Sequence, residues 1–376
     1  MSQVKVNIRV LVSPLDWGIG HATRCIPVIR EFMEAGCEVI IGTSGKSGIF
    51  LKEYFPKLQH IDVPFMKIRF GTYHIFPWYI FQLLKIPAIT IREYFFLRHH
   101  ARRLQLNLII SDNRYGLFHK DIYSVIITHQ LFIRPPAPFG FMQKIFRKIT
   151  GMMVSRFDQC WIPDLADAEK SISNRLSHGK ISPENHRYIG LLSRFTLTGE
   201  AKYSPDEKNY DLMVILSGPE PQRSAFEDII MSQTRDLDIK VVIFRGLPDR
   251  DKEMIVKGNM TLVSHPEDKD FITCIRQTDK IICRSGYSTI MDLIALKRQA
   301  LLVPSPGQTE QIYLARHLSA KGLFLYLAQK DFNVRDALIL FEKKQEPDYS
   351  DFRPEDMNLK GAVKLLMNRI NRQQKP

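Results

Sequence analysis

Ser13-Pro-Leu-Asp-Trp-Gly-Ile-Gly-His-Ala-Thr-Arg24 decides the fold. The Ile8–Leu15 stretch leading into it is largely apolar and predicts a buried strand, while Ile26, Ile29, Phe32 and Met33 after it recur at amphipathic-helix spacing. A strand that runs through a glycine turn into a helix opens a doubly wound α/β domain. Gly18 and Gly20 permit the tight turn and a close approach of ligand to backbone. The helix start offers unpaired N–H groups that favour negative charge. His21, at the mouth of that turn, is a candidate general base. A G-x-G after a strand is often only a turn, and it is the histidine at the helix start that makes it a functional candidate.

The same rhythm runs outward from this unit. Apolar runs follow at Cys37–Thr43, His60–Val63, Leu106–Asp112, Ser124–His129 and Gln159–Pro163. A second set lies at Leu212–Gly218, Lys240–Gly246, Met260–His265, Lys280–Arg284 and Gln299–Pro304. Short apolar strands separated by helix-length segments predict parallel sheets covered on both faces. The class is therefore α/β, with two Rossmann-like doubly wound domains, residues 1–190 and 196–350, facing a cleft. Ser182–Ser204, with strand-like Arg187–Ile189 inside it, reads as the end of the first domain plus a linker. A last helix over 355–372 carries Leu359, Ala362, Val363, Leu366 and Ile370 on one stripe, and packing back across the cleft is open to it.

A chain of 376 residues fits two such domains. Its five cysteines are odd in number and form no C-x-x-C pair, which argues against a disulfide scaffold or zinc site and points to the cytoplasm. The net charge of +13 is uneven: residues 1–192 hold 25 Lys and Arg against 14 Asp and Glu. Such a basic half suits an anionic partner such as lipid headgroups or a charged acceptor, or serves solubility alone. Without a zinc finger, an RNP-type motif or an arginine-rich tract, nucleic acid is not expected.

The second informative region is Cys283-Arg-Ser-Gly-Tyr-Ser-Thr-Ile-Met-Asp292, followed by Pro304-Ser-Pro-Gly-Gln-Thr-Glu-Gln311. A strand ends at Ser285-Gly286 and a helix begins, forming a second anion-attracting terminus. Asp292 offers an acceptor for hydroxyls, and Gln308, Glu310 and Gln311 add two amides and a carboxylate at the next helix start. Short, rigid hydrogen-bonding groups of this kind suit a ribose and a sugar.

On these residues the chain resembles the glycosyltransferases of family 28, which include the lipid-linked peptidoglycan N-acetylglucosaminyltransferase. The likeness is close over 283–311, extends to the Gly-Ile-Gly-His loop, and is loose in the middle of the first domain. It implies a GT-B fold and a UDP-sugar donor, with no other cofactor and no metal. It implies that Asp292 binds the ribose and that Gln311 contacts the donor sugar. Glu310 stands where the family has a first glutamine, and a carboxylate there cannot donate a hydrogen bond. Arg284, Ser285, Gly286, Tyr287, Ser288 and Thr289 fall on the diphosphate-side loop, and Ser217 and Gly218 of Leu216-Ser-Gly-Pro-Glu-Pro-Gln222 on a second phosphate cradle. Glu220 does not suit a diphosphate and is expected to point elsewhere, toward the acceptor. His265 falls where the family reads the uracil edge. His21 matches the family's glycine-loop histidine.

Ser111-Asp112-Asn113-Arg114 and Thr128-His129-Gln130 close buried strands at the cleft face of the first domain. Asp112 is expected to orient His21, Asp16 is a third catalytic carboxylate candidate, and Asn113, His129 and Arg24 are acceptor-side candidates, with loop capping or surface pairing as the plainer roles. Phe141–Phe157 sets Phe141, Met142, Ile145, Phe146, Ile149, Met152 and Met153 against Lys144, Arg147 and Lys148. That pattern reads first as core and, in a basic domain, as an interfacial membrane contact. The aromatic-rich 73–96 stretch is too interrupted to span a bilayer and suits an acceptor flap or an interfacial contact. Asp236-Leu-Asp238 precedes its strand and reads as a turn.

The expected function is an inverting, metal-independent transfer from a UDP-sugar to a membrane-associated glycan or lipid-linked acceptor, at the inner face of the cytoplasmic membrane. A UDP-sugar hydrolase or epimerase on the same fold, or a non-catalytic nucleotide-sugar-binding protein, are the rivals.

Overall fold

The computed structural model describes residues 8–65, 75–133, 137–179, 185–195, 204–250 and 253–373. The first sheet holds β1 (Arg9–Pro14), β2 (Glu38–Thr43), β3 (Gln59–Asp62), β4 (Leu108–Asp112), β5 (Tyr123–Ile127), β6 (Gln159–Ile162) and β7 (His186–Tyr188). Its order is β3-β2-β1-β4-β5-β6-β7, all parallel. Helices α1 (Ile19–Glu34), α2 (Gly45–Tyr54), α3 (Ile75–His100) and α4 (Gln143–Val154) belong to this half. The order reverses between β1 and β4, where Pro14 lies opposite Asp112. That switch point sets the glycine loop and the end of β4 side by side, where a doubly wound sheet opens a crevice.

The second sheet holds β8 (Tyr210–Ile215), β9 (Val241–Phe244), β10 (Met254–Lys257), β11 (Met260–Val263), β12 (Thr278–Cys283), β13 (Leu301–Leu302) and β14 (Leu325–Tyr326). Its order, β10-β11-β9-β8-β12-β13-β14, reverses between β8 and β12, so the loops at 216–221 and 284–286 share a crevice. Its helices are α5 (Gln222–Thr234), α6 (Asp268–Arg276), α7 (Tyr287–Ala295), α8 (Thr309–Ala320) and α9 (Val334–Glu342). Central strands are buried on both faces, which is why they read as unbroken apolar runs.

The terminal helix α10 (Leu359–Gln373) returns to the first domain. Met367 Sδ lies 3.6 Å from Cys37 Sγ, and the Arg369 guanidinium stands 5.1 Å over the Tyr123 ring. Leu359, Ala362, Val363, Leu366 and Ile370 are buried in a core cluster that includes residues of both domains. At about 1.5–3 kcal/mol for each larger apolar side chain, this is a docked helix.

Several expectations need correction. β10 pairs antiparallel with β11 and is mostly exposed, and β14 is two residues long; neither produces an apolar run. The strand expected at Arg187–Ile189 within Ser182–Ser204 is present as β7, while 182–184 and 196–203 lie outside the described residues. Of the aromatic-rich stretch, 73 and 74 lie outside them too, and the rest belongs to one helix with Pro87 inside it. The apolar stripe over Phe141–Met153 is largely not core: Phe141, just before α4, is 76% exposed and Ile145 53%, Ile149 and Met152 are also exposed, and Met142, Phe146 and Met153 are half-buried. Among the described residues no helix is long and apolar enough to cross a membrane.

Candidate active site

The two switch points face each other across a cavity of about 210 Å3. The first domain presents Trp17, Gly18, Gly20, His21, Arg24, His129 and Gln130; the second presents Ser217, Gly218, Phe244, His265, Phe271, Gly286 to Thr289, Asp292, Gln308, Glu310 and Gln311.

On the first-domain wall, Gly18 caps α1 at φ 114°, a left-handed value open to glycine and strained for other residues. That turn sets His21 within 3.0 Å of Asp112 Oδ2, through Nδ1. Asp112 is fully buried and also accepts from Arg24 Nε at 2.9 Å and from Arg24 Nη2. Arg24 Nη2 lies 2.9 Å from His21 Nδ1 as well, and one ring nitrogen cannot both donate to the carboxylate and accept from the guanidinium. The guanidinium is already committed to Asp112, so the Nδ1 proton points to Asp112 and the Nε2 lone pair is free to take a proton. Burial, then the Arg24 charge, lowers the His21 pKa against the pull of Asp112. Burial alone would raise the Asp112 carboxyl, but the charges of Arg24 and then His21 hold it down at about 2. At neutral pH the site therefore holds a neutral imidazole beside a carboxylate and a guanidinium.

Arg24 continues across the cleft. Its Nη1 lies 3.2 Å from His129 Nδ1, and His129 Nε2 donates to Glu310 Oε1 at 2.6 Å. Gln130 donates to the other Glu310 oxygen. Burial would raise the Glu310 carboxyl, but His129, by charge and hydrogen bond, brings it below its ordinary value. The His129 ring stacks on Tyr287 at 3.8 Å, and Ser288 Oγ donates to the Gly20 carbonyl at 2.6 Å. The two glycine turns thus touch through α7.

The second-domain wall divides into two ends. At one, Ile215, Leu216, Phe244, His265 and Phe271 form a largely apolar pocket. Beside it Asp292 accepts from Ser193 Oγ at 2.6 Å and pairs with Arg194 at 3.3 Å. Burial raises the Asp292 carboxyl, and Arg194 offsets part of that. At the other end Gln311 Nε2 donates to Gln308 Oε1 at 2.7 Å, next to Glu310. Between them lie Ser217, Gly218 and the start of α7, whose first turn has no side-chain cap.

Five sequence candidates serve elsewhere. Asp16 accepts from the Ser47 amide at 3.1 Å and holds the loop to α2. Asn113 adopts φ 54°, and its amide continues the β4–β5 ladder to Ile127. Arg284 is fully buried, donates to the Gln222 and Val303 carbonyls and to Gln329, and lies 4.0 Å over Phe226. Ser285 is buried and donates to the Gln311 carbonyl at 2.9 Å. Glu220 pairs with Arg223 at 2.6 Å, not with anything in the cleft. Arg24 lines the cleft but is 2% exposed and committed to Asp112, so neither surface pairing nor a free phosphate contact describes it. Trp17 and Gln130, within stretches quoted above but given no role there, line the cleft with Arg194, and Ser193 backs Asp292; no motif marks the last two. A large aromatic inside a glycine turn is the one signal the sequence offers, for Trp17; linker residues carry no periodic mark.

Residues 227–360 match the glycosyltransferase family 28 C-terminal domain. A UDP-N-acetylglucosamine–N-acetylmuramyl-(pentapeptide) pyrophosphoryl-undecaprenol N-acetylglucosamine transferase of Anaeromyxobacter sp. is 30% identical over 22% of this chain and 23% of its own length. The chain thus spans about a quarter of that relative. A transferase of the same name from Wigglesworthia glossinidia brevipalpis is 22% identical over 97% of both chains. Among solved structures, the kitacinnamycin glycotransferase superposes with a TM-score of 0.66 at 12% identity, covering 97% of this chain and 99% of its own. MurG of Acinetobacter baumannii does so at 0.54 and 13%, with the same coverage. Both halves and their order follow the GT-B arrangement.

Proposed function

From a chain that carries a glycosyltransferase family 28 C-terminal domain within a GT-B fold, we propose a transferase that moves a hexose or N-acetylhexosamine from a UDP-sugar to a membrane-associated glycan or lipid-linked acceptor, with inversion and without a metal. The observation that carries it is the opposition of the His21–Asp112 pair to a second-domain wall that is apolar at one end and amide- and carboxylate-rich at the other. The base fits the apolar end beside His265, the ribose hydroxyls fit Asp292, and the sugar fits Gln308, Glu310 and Gln311. The acceptor hydroxyl gives its proton to His21 Nε2 as its oxygen attacks the anomeric carbon. The bond from that carbon to the β-phosphate oxygen breaks with its electron pair going to UDP. The start of α7 and the 217–218 turn meet the charge that develops there. One displacement inverts the anomeric centre.

UDP is expected to raise the unfolding temperature where ADP and GDP do not, since a ligand at about 100 times its Kd adds about 2.7 kcal/mol. Equal stabilisation by all three would remove the uridine assignment. Free sugar in place of transfer product would identify a hydrolase.

His21 also sets a pH signature. Its lowered pKa keeps it neutral below the ordinary histidine range, so the transfer rate should stay level as pH falls through 6.5, the ordinary value, and drop only further into acid. A half-fall at or above that value, measured as kcat/KM, would show that another group is the base.

The exposed face of α4 supports the membrane side of this reading. Phe141, Ile145, Ile149 and Met152 stand in solvent beside exposed Lys144, Lys148 and Arg156. Phe118 links this region to α3 through Tyr94 at 5.2 Å and Phe157 at 5.7 Å. Such a surface suits an anionic bilayer. Changing Phe141, Ile145 and Met152 together to serine should weaken co-sedimentation with phosphatidylglycerol vesicles by about tenfold or more. An unchanged bound fraction would remove α4 from the contact.

A further inference from the structure

We propose that Trp17 is the platform on which the acceptor's sugar ring lies, and that Asp16 is the positioning residue that holds it there; this rests on the transferase reading above. Trp17 is 41% exposed and lines the cleft on the first-domain side, four residues before His21. Tryptophan is highly buried on average, and no ring of the described residues stacks on this one. Its two flanking residues are both tied down. Asp16 Oδ1 accepts from the Ser47 amide at 3.1 Å, and the Gly18 carbonyl accepts from Ser47 Oγ at 3.4 Å. Just before them, the Leu15 amide donates to the Asp112 carbonyl at 3.0 Å. Gly45 makes room for the clamp, since a Cβ there would run into Asp16 Oδ2. The result is a fixed backbone presenting a large flat side chain to the cleft.

The chemistry of the surroundings selects the occupant. The cleft that Trp17 lines also holds His21, which takes the acceptor hydroxyl's proton in the proposed reaction. A lipid chain laid beside His21 offers no hydroxyl for its Nε2 to deprotonate. A pyranose has an apolar C–H face for the indole and a rim of hydroxyls, one of which can reach His21. The same α2 start that clamps the loop also reaches the second domain, through Lys46 and Asp249 at 2.9 Å. The start of α2 thus holds the loop that carries the indole and also contacts the other domain.

The test uses the full chain saturated with UDP, titrated by calorimetry with methyl β-glucoside, methyl β-galactoside and methyl β-N-acetylglucosaminide. At least one should bind, and Trp17→Ala should weaken it about fivefold or more. Trp17→Phe should recover most of the loss. Asp16→Ala should weaken the pyranoside with UDP affinity unchanged, and Asp16→Asn, which keeps an oxygen for Ser47, should restore it. Equal pyranoside affinity in wild type and Trp17→Ala overturns the proposal, as does UDP binding with none of the three pyranosides bound. If octanol binding is lost in Trp17→Ala and pyranoside binding is kept, the ring serves a lipid tail and the proposal fails. Failure of UDP itself to bind sinks the nucleotide-sugar reading and this proposal with it.

Discussion

Asp112→Ala is expected to cost about 3–5 kcal/mol of stability, because it leaves Arg24 buried without its counter-charge. Asp112 is fully buried and Arg24 is 2% exposed, so water cannot replace the lost carboxylate. For a domain of this size the change corresponds to a fall of roughly 6–20 °C in unfolding temperature. Removing both charges, as Asp112→Leu with Arg24→Met, should recover most of the stability and none of the transfer activity. The effect of acid follows from the same pair. With its pKa held at about 2 against an ordinary 3.8, Asp112 stabilises the fold above pH 4 and loses that contribution as pH falls toward 2. His21 has a lowered pKa, so its contribution is already declining as pH drops below the ordinary 6.5. Thermal unfolding across pH should show both limbs. A loss below about 1 kcal/mol in Asp112→Ala would mean that Arg24 finds another partner or reaches water.

His21→Ala is expected to lower kcat for transfer by about 100- to 10,000-fold, the usual worth of a positioned general base. UDP binding should be unchanged, since the proposed nucleotide contacts lie on the other domain. His21→Gln should do no better, because an amide cannot take the proton. The readouts separate base chemistry from folding: the unfolding temperature should move little, as His21 is 19% exposed and carries no charge when neutral. Near-full activity in either variant would remove His21 from the mechanism. Asp112→Asn should fall between the two predictions, keeping the shape but losing the charge that fixes the Nδ1 proton.

Much of the cleft is legible in the amino-acid order alone. The glycine turns at 18–20 and 285–286 follow apolar strands, and both end at switch points. His21 and Asp112 lie 91 residues apart, yet His21 opens the helix that follows β1 and Asp112 ends β4, and parallel sheets put such strand ends on one side. Arg284 illustrates what is not legible. It sits in the same motif as Gly286 and Ser288, but its guanidinium stays in the core against Phe226, where burial lowers its pKa to about 9. Nothing local distinguishes an arginine that turns inward to carbonyls from one that turns outward to a phosphate. The α4 stripe misleads for the reverse reason: its periodicity announces an apolar face, but the partner for that face is a matter of what else packs there.

The sequence by itself determined the two-domain α/β class, the positions of the turns and the histidine that stands on the first of them. These are properties of short stretches, set by backbone freedom at glycine and by the period of apolar residues. The tertiary structure alone decided that Arg24 belongs to Asp112, that Asp16 clamps a loop, that Glu310 meets His129 and that α4 faces solvent. A polar group's role depends on which partner cancels its charge or takes its hydrogen bond. Here those partners come from 31 to 181 residues away and, for Glu310, from the other domain.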